Sequence, residues 1–137
     1  MKQLMEALQM TDLTKYKAVD IHDLELPKRF PEALESALRK IDEHKDDLHA
    51  EYVFLFGSAA RGEAMFGSDL DLLLLTTAET EREVRIKVMM YDIDDDTGYA
   101  PVQVTVRKLS RFLDQNEDVC GFHEKIIPDL RLLRRYA

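Results

Sequence analysis

The feature that most constrains this chain is an almost wholly apolar run that carries two acids: Asp69-Leu70-Asp71, followed by Leu72 to Leu75. On a strand, Asp69 and Asp71 point to the same face, with Cα atoms about 7 Å apart. Buried carboxylates need a partner, and no adjacent residue is basic. Two carboxylates at this spacing can hold a divalent metal between them. The alternative is a structural pair that is satisfied within the fold.

A Gly-Ser turn precedes the acidic run. Gly57-Ser58 directly follows the apolar segment Tyr52 to Phe56, which predicts a strand over Glu51 to Phe56. Glycine lets the chain turn tightly at the strand end, where backbone N–H groups become available to a phosphate. An ordinary strand-to-helix turn is the alternative. Ten residues separate Ser58 from Asp69, and the combination favours a site for a metal and a nucleotide.

These residues, with Arg61-Gly62 and Ser68 in the spacer, resemble the signature of the DNA polymerase beta-like nucleotidyltransferase superfamily in its minimal, antitoxin-type form. The resemblance is close over residues 52–75 and looser, in element order, over residues 31–107. It implies an α/β (α+β) fold, with a small mixed β-sheet and helices packed mainly on one side.

The resemblance also implies an activity, the transfer of a nucleotidyl group, AMP from ATP, to a hydroxyl acceptor. Asp69 and Asp71 are then the catalytic residues and the ligands of Mg²⁺. The implied nucleotide-binding residues are Gly57, Ser58, Arg61 and Ser68. Minimal members of this superfamily are often paired with a helical toxin, so a helical partner protein is an expected acceptor.

One part of the superfamily pattern is missing. Its third carboxylate lies on a later strand beside the Asp-x-Asp strand, and here the matching segment, Val102 to Val106, carries Gln103 at the expected position. Glutamine can accept a hydrogen bond but cannot act as a base. Losing a general base typically costs about 10²- to 10⁴-fold in rate. Two interpretations stay open: a slow enzyme, or a nucleotide-binding module that has lost transfer.

Other acids are candidate substitutes for the third carboxylate. An acidic cluster, defined by Asp92, Asp94, Asp95 and Asp96, ends a predicted helix just before the strand that carries Gln103. Acids at a helix C-terminus conflict with the helix dipole. A solvated helix end, metal binding, attraction of a basic partner and an acidic pocket for an aminoglycoside acceptor all remain open. Glu63, inside the spacer, is a weaker substitute.

Length and composition indicate the number of domains and the cellular location. The 137 residues are 45% hydrophobic, which suits one domain: a poorly matched extension over 1–26, a core over 27–110 and a C-terminal helical segment over 111–137. The longest uncharged apolar run is too short to span a membrane, and the N-terminus lacks a signal-peptide pattern. We therefore expect a cytoplasmic protein without membrane partners. The lone Cys120 fits a reducing compartment.

Charge argues against nucleic acid as a partner, because the formal net charge is −8. One basic cluster, Arg131, Arg134 and Arg135, lies near the C-terminus. We interpret it as a solvated last turn or short strand, with a partner interface or an RNA end as the alternative.

Apolar spacing predicts the helices. Pro31 opens the first, with one face formed by Leu34, Ala37, Leu38, Ile41, Lys45 and Leu48. Thr80 and Glu83 form a capping box for the second, with an apolar face of Ile86, Met89, Met90 and Ile93. Ser110 is expected to cap a short helix around Phe112, and a further helix is expected to end near Pro128.

Overall fold

The computed structural model describes residues 12–94, 100–114 and 125–136. Its centre is a four-stranded mixed sheet in the order β3-β2-β1-β4. Strand β1 is antiparallel to β2 and to β4, whereas β2 and β3 are parallel. The strands are β1 (Ala50–Phe56), β2 (Leu70–Thr76), β3 (Val102–Lys108) and β4 (Arg131–Arg135). The predicted strands lie within about one or two residues of these bounds.

Two longer helices pack on one side of this sheet. The helices are α1 (Phe30–Glu43), α2 (Glu81–Met90) and the short α3 (Leu109–Leu113), with 3₁₀ turns at Ile21–Asp23 and Ile127–Asp129. One apolar core joins the buried faces of α1 and α2 to alternate β2 residues, among them Leu72 and Leu74. The predicted fold class, a small mixed sheet with helices mainly on one side, is confirmed.

A second core covers the other side of the sheet. Phe112 of α3 and Leu130 pack there against Phe54, Leu73 and Leu75. Strand β2 is therefore buried on both faces, which explains why its sequence is a continuous apolar run rather than an alternating one. Asp71 is the polar exception in this strand up to Leu75.

Helix α1 follows the predicted pattern except at its end. Pro31 lies in its first turn, and Leu34, Leu38 and Ile41 are fully buried. The helix ends at Glu43, so placing Lys45 and Leu48 on its face was wrong. Leu48 is still fully buried, because the turns after the helix fold it back into the core.

Helix α2 begins as predicted but turns a different face to the core. Thr80 accepts a hydrogen bond from the Glu83 N–H and donates its own N–H to the Glu83 carboxylate, which confirms the capping box. Val84 and Val88 are the buried helical residues. The predicted inward face was wrong: Ile86, Met89 and Met90 are 48%, 70% and 67% exposed, and only Ile93, beyond the helix, is buried.

A tertiary contact accompanies this orientation of α2. Lys87 donates from Nζ to the Asp47 carboxylate at 3.1 Å and to the Asp47 carbonyl at 3.0 Å. This ties one side of α2 to the turn after α1. The contact joins residues 40 positions apart, and helical periodicity carries no signal for it.

The C-terminal region is less helical than expected. Helix α3 starts at Leu109, so Ser110 lies inside it rather than capping it, and Pro128 belongs to a 3₁₀ turn. Residues 131–135 form β4, which confirms the short-strand interpretation of the basic cluster and not the helical segment, because Leu132 and Leu133 are buried on opposite faces of the sheet beside β1. Cys120 and the N-terminal residues 1–11 lie outside the described residues. Among the helices that are described, none has the length and apolar character needed to cross a bilayer.

Candidate active site

The two site aspartates lie at the start of the most deeply buried strand. Asp69 immediately precedes β2, and Asp71 is its second residue. The pairing registers place Asp71 opposite Phe56, the last residue of β1, and opposite Gln103 near the start of β3. Both aspartates are half-buried. The end of β1, the start of β2 and the start of β3 therefore meet around Asp71.

The Gly-Ser turn is in direct contact with this acid. Gly57 has a φ of +77°, and a Cβ added to it would lie 2.6 Å from Oδ2 of Asp71. Glycine suits this left-handed backbone and this close approach, because an added Cβ would require the Asp71 carboxylate to shift. The structure thus brings together the two halves of the sequence motif, the Gly-Ser turn and the acidic strand, in one site.

The chain after Gly57 forms a compact series of turns. The Arg61 N–H donates to the Gly57 carbonyl at 3.2 Å, and the Glu63 N–H donates to the Ser58 carbonyl at 2.9 Å. Ser58 is half-buried at the start of these turns. Its position next to Gly57 keeps it a candidate for binding a phosphate beside the acid pair.

The Arg61 side chain forms ion pairs with two carboxylates. Its guanidinium donates to Asp129 at 2.9 Å and to Glu63 at 3.3 Å. The hydrogen bond that Arg61 donates to Asp129, and the charges of both carboxylates, raise the pKa of Arg61. Arg61 must exchange these partners to bind a phosphate, and Glu63 is held by Arg61. The Asp129 partner is 68 positions away, so the sequence carried no signal for it.

Ser68 shapes the loop that leads into Asp69. Its hydroxyl accepts a hydrogen bond from the Met65 N–H at 2.9 Å, and its own N–H donates to the Met65 carbonyl at 2.9 Å. These two bonds close a turn directly before the acid pair. In the structure Ser68 therefore supports the position of Asp69, and its role toward a nucleotide stays a prediction.

The electrostatics of the acid pair suit a bound cation. Partial burial, and secondly the charge of Asp69, raise the pKa of Asp71 above its ordinary value of 3.8. A carboxylate whose charge is disfavoured by burial and by a neighbouring acid gains from a cation beside it. Over residues 12–94, 100–114 and 125–136, no group of three or more His, Cys, Asp or Glu side chains is placed to hold a metal. Two carboxylates fit Mg²⁺, which takes one or two protein carboxylates and completes its shell with water and substrate oxygens.

The position of the expected third carboxylate is occupied by Gln103. It pairs with Asp71 across β2 and β3 and is exposed. Asp94 does not join the acid pair: its Oδ1 accepts the Val104 N–H of β3 at 2.6 Å, and burial raises its pKa. No local pattern in the sequence predicts this contact. Asp95 and Asp96 lie outside the described residues.

Comparison with known proteins identifies the family of this chain. The model of a nucleotidyltransferase domain matches residues 34–130, more than half of the chain. The chain belongs to the nucleotidyltransferase domain family. A search of curated proteins finds no match.

A similar solved structure, described as a "putative nucleotidyltransferase" from Sulfolobus solfataricus, has 20% identity and a TM-score of 0.39, with 75% of this chain and 86% of that chain covered. The family match confirms the resemblance seen in the sequence and supports nucleotidyl transfer as the general function. The matched range of this family member contains Gly57, Ser58, Asp69, Asp71 and Gln103.

Proposed function

We propose that the protein is a Mg²⁺-dependent nucleotidyltransferase that passes AMP from ATP to a hydroxyl acceptor. The observation that carries this proposal is the contact between Gly57 and the Asp71 carboxylate, within a pair of aspartates at the start of β2. It puts a turn suited to phosphate directly beside carboxylates suited to a metal.

Each part of the site has a distinct task in this proposal. Gly57 and Ser58 bind the triphosphate through the backbone of the turn. Asp69 and Asp71 hold Mg²⁺, which, when bound, offsets charge on the phosphate oxygens. The pairing of Asp71 with both β1 and β3 keeps its carboxylate beside Gly57, so binding a metal there requires little rearrangement of the backbone.

Gln103 limits the rate in this proposal. Its amide can orient the acceptor hydroxyl by hydrogen bonding, but it cannot take the proton. The proton therefore leaves to water or to a group of the acceptor, and we expect transfer about 10²- to 10⁴-fold slower than with a general base. The same observation favours the second candidate function, a nucleotide-binding module without transfer.

We propose a hydroxyl on a helical partner protein as the acceptor. The support is the likeness of the motif to minimal, antitoxin-type nucleotidyltransferases. The formal net charge of −8 is consistent with a protein acceptor and disfavours a nucleic acid one.

Calorimetric titration of ATP, with and without Mg²⁺, tests the site without knowledge of the acceptor. We expect Mg²⁺-dependent binding by the native chain and its loss in the double variant Asp69→Asn plus Asp71→Asn. A matched control, Asp23→Asn plus Asp46→Asn, makes the same charge change at exposed positions and should bind as the native chain does. Equal binding by both double variants would refute the site.

A second experiment separates the enzyme from the binding module. Labelled AMP transfer is measured for the native chain and for Gln103→Glu, with the candidate partner protein as acceptor. A slow native transfer that rises at least about tenfold in Gln103→Glu supports the slow enzyme. Binding of Mg²⁺ and ATP without transfer by the native chain supports the module.

A further inference from the structure

Two side chains from the C-terminal part of the chain hold the turns that follow β1. Asp129 accepts a hydrogen bond from the Arg61 guanidinium at 2.9 Å, and Arg131 donates from Nε to the Ala60 carbonyl at 3.3 Å. Both bonds reach residues 57–63, which we call the turn segment. The partners are 68 and 71 positions apart, so the turn segment is held by tertiary contacts as well as by its own hydrogen bonds.

The part of the chain that carries Asp129 and Arg131 is itself fixed to the sheet. Leu130, between them, is buried in the second core, and Arg131 begins β4, where it pairs with Leu55 of β1. The Asp129 side chain is only 20% exposed. An ion pair with a partly buried member is screened less than one between fully exposed groups. Asp129 therefore provides a firm anchor for the Arg61 side chain.

Backbone hydrogen bonds connect this anchor to the Gly-Ser turn. The Arg61 N–H donates to the Gly57 carbonyl at 3.2 Å, and the Glu63 N–H donates to the Ser58 carbonyl at 2.9 Å. The Glu63 carboxylate also accepts from the Arg61 guanidinium at 3.3 Å. The position of the Arg61 side chain is thus coupled to the backbone that lies beside Asp71.

The turn segment borders open space. Its side chains in the main core are those of Ala59 and Ala60, and burying an alanine side chain removes little apolar area from water. A cavity of about 660 Å³ lies beside the segment and is lined by these alanines, by Arg61 and by parts of residues 18–25. Without the ion pair to Asp129, the segment has room to shift.

We propose that Asp129 is a positioning residue for nucleotide binding: its ion pair with Arg61 holds the turn segment in the conformation that receives the triphosphate. This inference rests on the proposed function, and it gives Arg61 a different role from that of a phosphate ligand. Arg61 stays with Asp129 when the nucleotide binds, and the backbone of the Gly-Ser turn contacts the phosphates. A turn that is already ordered loses less conformational freedom on binding, so the affinity is higher.

Calorimetric titration of ATP with Mg²⁺ into Asp129→Ala tests this role by the sign of the effect. Removing a carboxylate near the triphosphate and releasing Arg61 would, by charge alone, raise the affinity. We expect the opposite, a fall of at least about fivefold, because the turn segment loses its anchor. Asp129→Glu keeps the carboxylate and should bind within about twofold of native. An unchanged affinity in Asp129→Ala would overturn the proposal, and a raised one would make Arg61 a direct phosphate ligand.

Asp47→Ala is the matched control. It removes a carboxylate that pairs with Lys87 at 3.1 Å, and it lies before the start of β1, whereas the Gly-Ser turn follows the end of that strand. Its ATP affinity should stay within about twofold of native. All titrations are made below the melting temperatures of the variants, so that a loss of stability does not register as a loss of affinity.

Amide hydrogen exchange in the nucleotide-free chain separates this proposal from the proposed function. We expect the Arg61 and Glu63 N–H groups to exchange at least about tenfold faster in Asp129→Ala than in Asp47→Ala. Equal exchange in the two variants would overturn the anchoring, whatever the chain binds. If the native chain binds no ATP, the proposed function fails, and faster exchange in Asp129→Ala supports the anchoring on its own.

Discussion

Replacing Gly57 with alanine tests how closely the Gly-Ser turn and the acid pair are coupled. The new Cβ would lie 2.6 Å from Oδ2 of Asp71, at a backbone φ of +77°. A left-handed conformation costs a non-glycine residue about 1–2 kcal/mol. The Asp71 carboxylate must also move away, which disturbs the metal ligand itself. The substitution therefore affects stability and binding together.

The expected size of the effect follows from these two contributions. We expect Gly57→Ala to lower the free energy of unfolding by about 2–3 kcal/mol. For a chain of this length that corresponds to a fall in melting temperature of about 8–12 °C. The affinity for ATP in the presence of Mg²⁺ should fall at least about tenfold, or about 1.4 kcal/mol. Calorimetry and thermal unfolding of the same samples measure both quantities.

Gly67 offers a matched control. It also has a left-handed backbone, with φ of +96°, but nothing lies within 4 Å of an added Cβ. Gly67→Ala should therefore show the backbone cost of about 1–2 kcal/mol and leave nucleotide affinity within about twofold of native. If Gly57→Ala binds ATP and Mg²⁺ as tightly as Gly67→Ala does, the contact with Asp71 is not part of the binding site.

Three further substitutions test single interactions. Burial and a neighbouring acid raise the pKa of Asp71, so the folded state loses stability as pH rises from the ordinary pKa of 3.8 through the raised pKa. The melting temperature of Asp71→Asn should therefore increase relative to that of the native chain as pH rises through this range. Tyr136→Phe removes the 2.6 Å hydrogen bond to Asp42 and should cost about 1–2 kcal/mol in urea unfolding. Thr80→Ala removes the cap that accepts the Glu83 N–H and should lower the melting temperature by about 4 °C.

The sequence predicted those parts of the fold whose signals are local. Strands β1, β2 and β3 follow from apolar runs, and the start of α2 follows from the Thr80 capping box. The acid pair was visible for the same reason, because Asp71 interrupts a strand that is otherwise buried on both faces up to Leu75. Its proximity to Gly57 required the tertiary pairing of β1 with β2.

The missed features depend on contacts between distant residues. Helix α2 carries two competing apolar sets, and the Ile86 set matches helical spacing at least as well as the Val84 set does. Val84 and Val88 turn inward because they complete the main core, and the accompanying contact of Lys87 with Asp47 joins residues 40 positions apart. The ion pair of Arg61 with Asp129 joins residues 68 positions apart, so the local sequence pattern does not predict it either. Periodicity describes one element at a time, so it could not resolve either case.

The spacing between the turn and the acids follows from the pairing of β1 with β2. Since Phe56 pairs with Asp71, the antiparallel strands bring the residue after β1, Gly57, beside that carboxylate. The ten intervening residues hold the turn after Ser58 and the turn closed by Ser68. A slip of the register by one residue would turn Asp71 into the core that holds Leu70. The burial of Leu70 on one face therefore directs Asp71 to the other face and toward the phosphate turn.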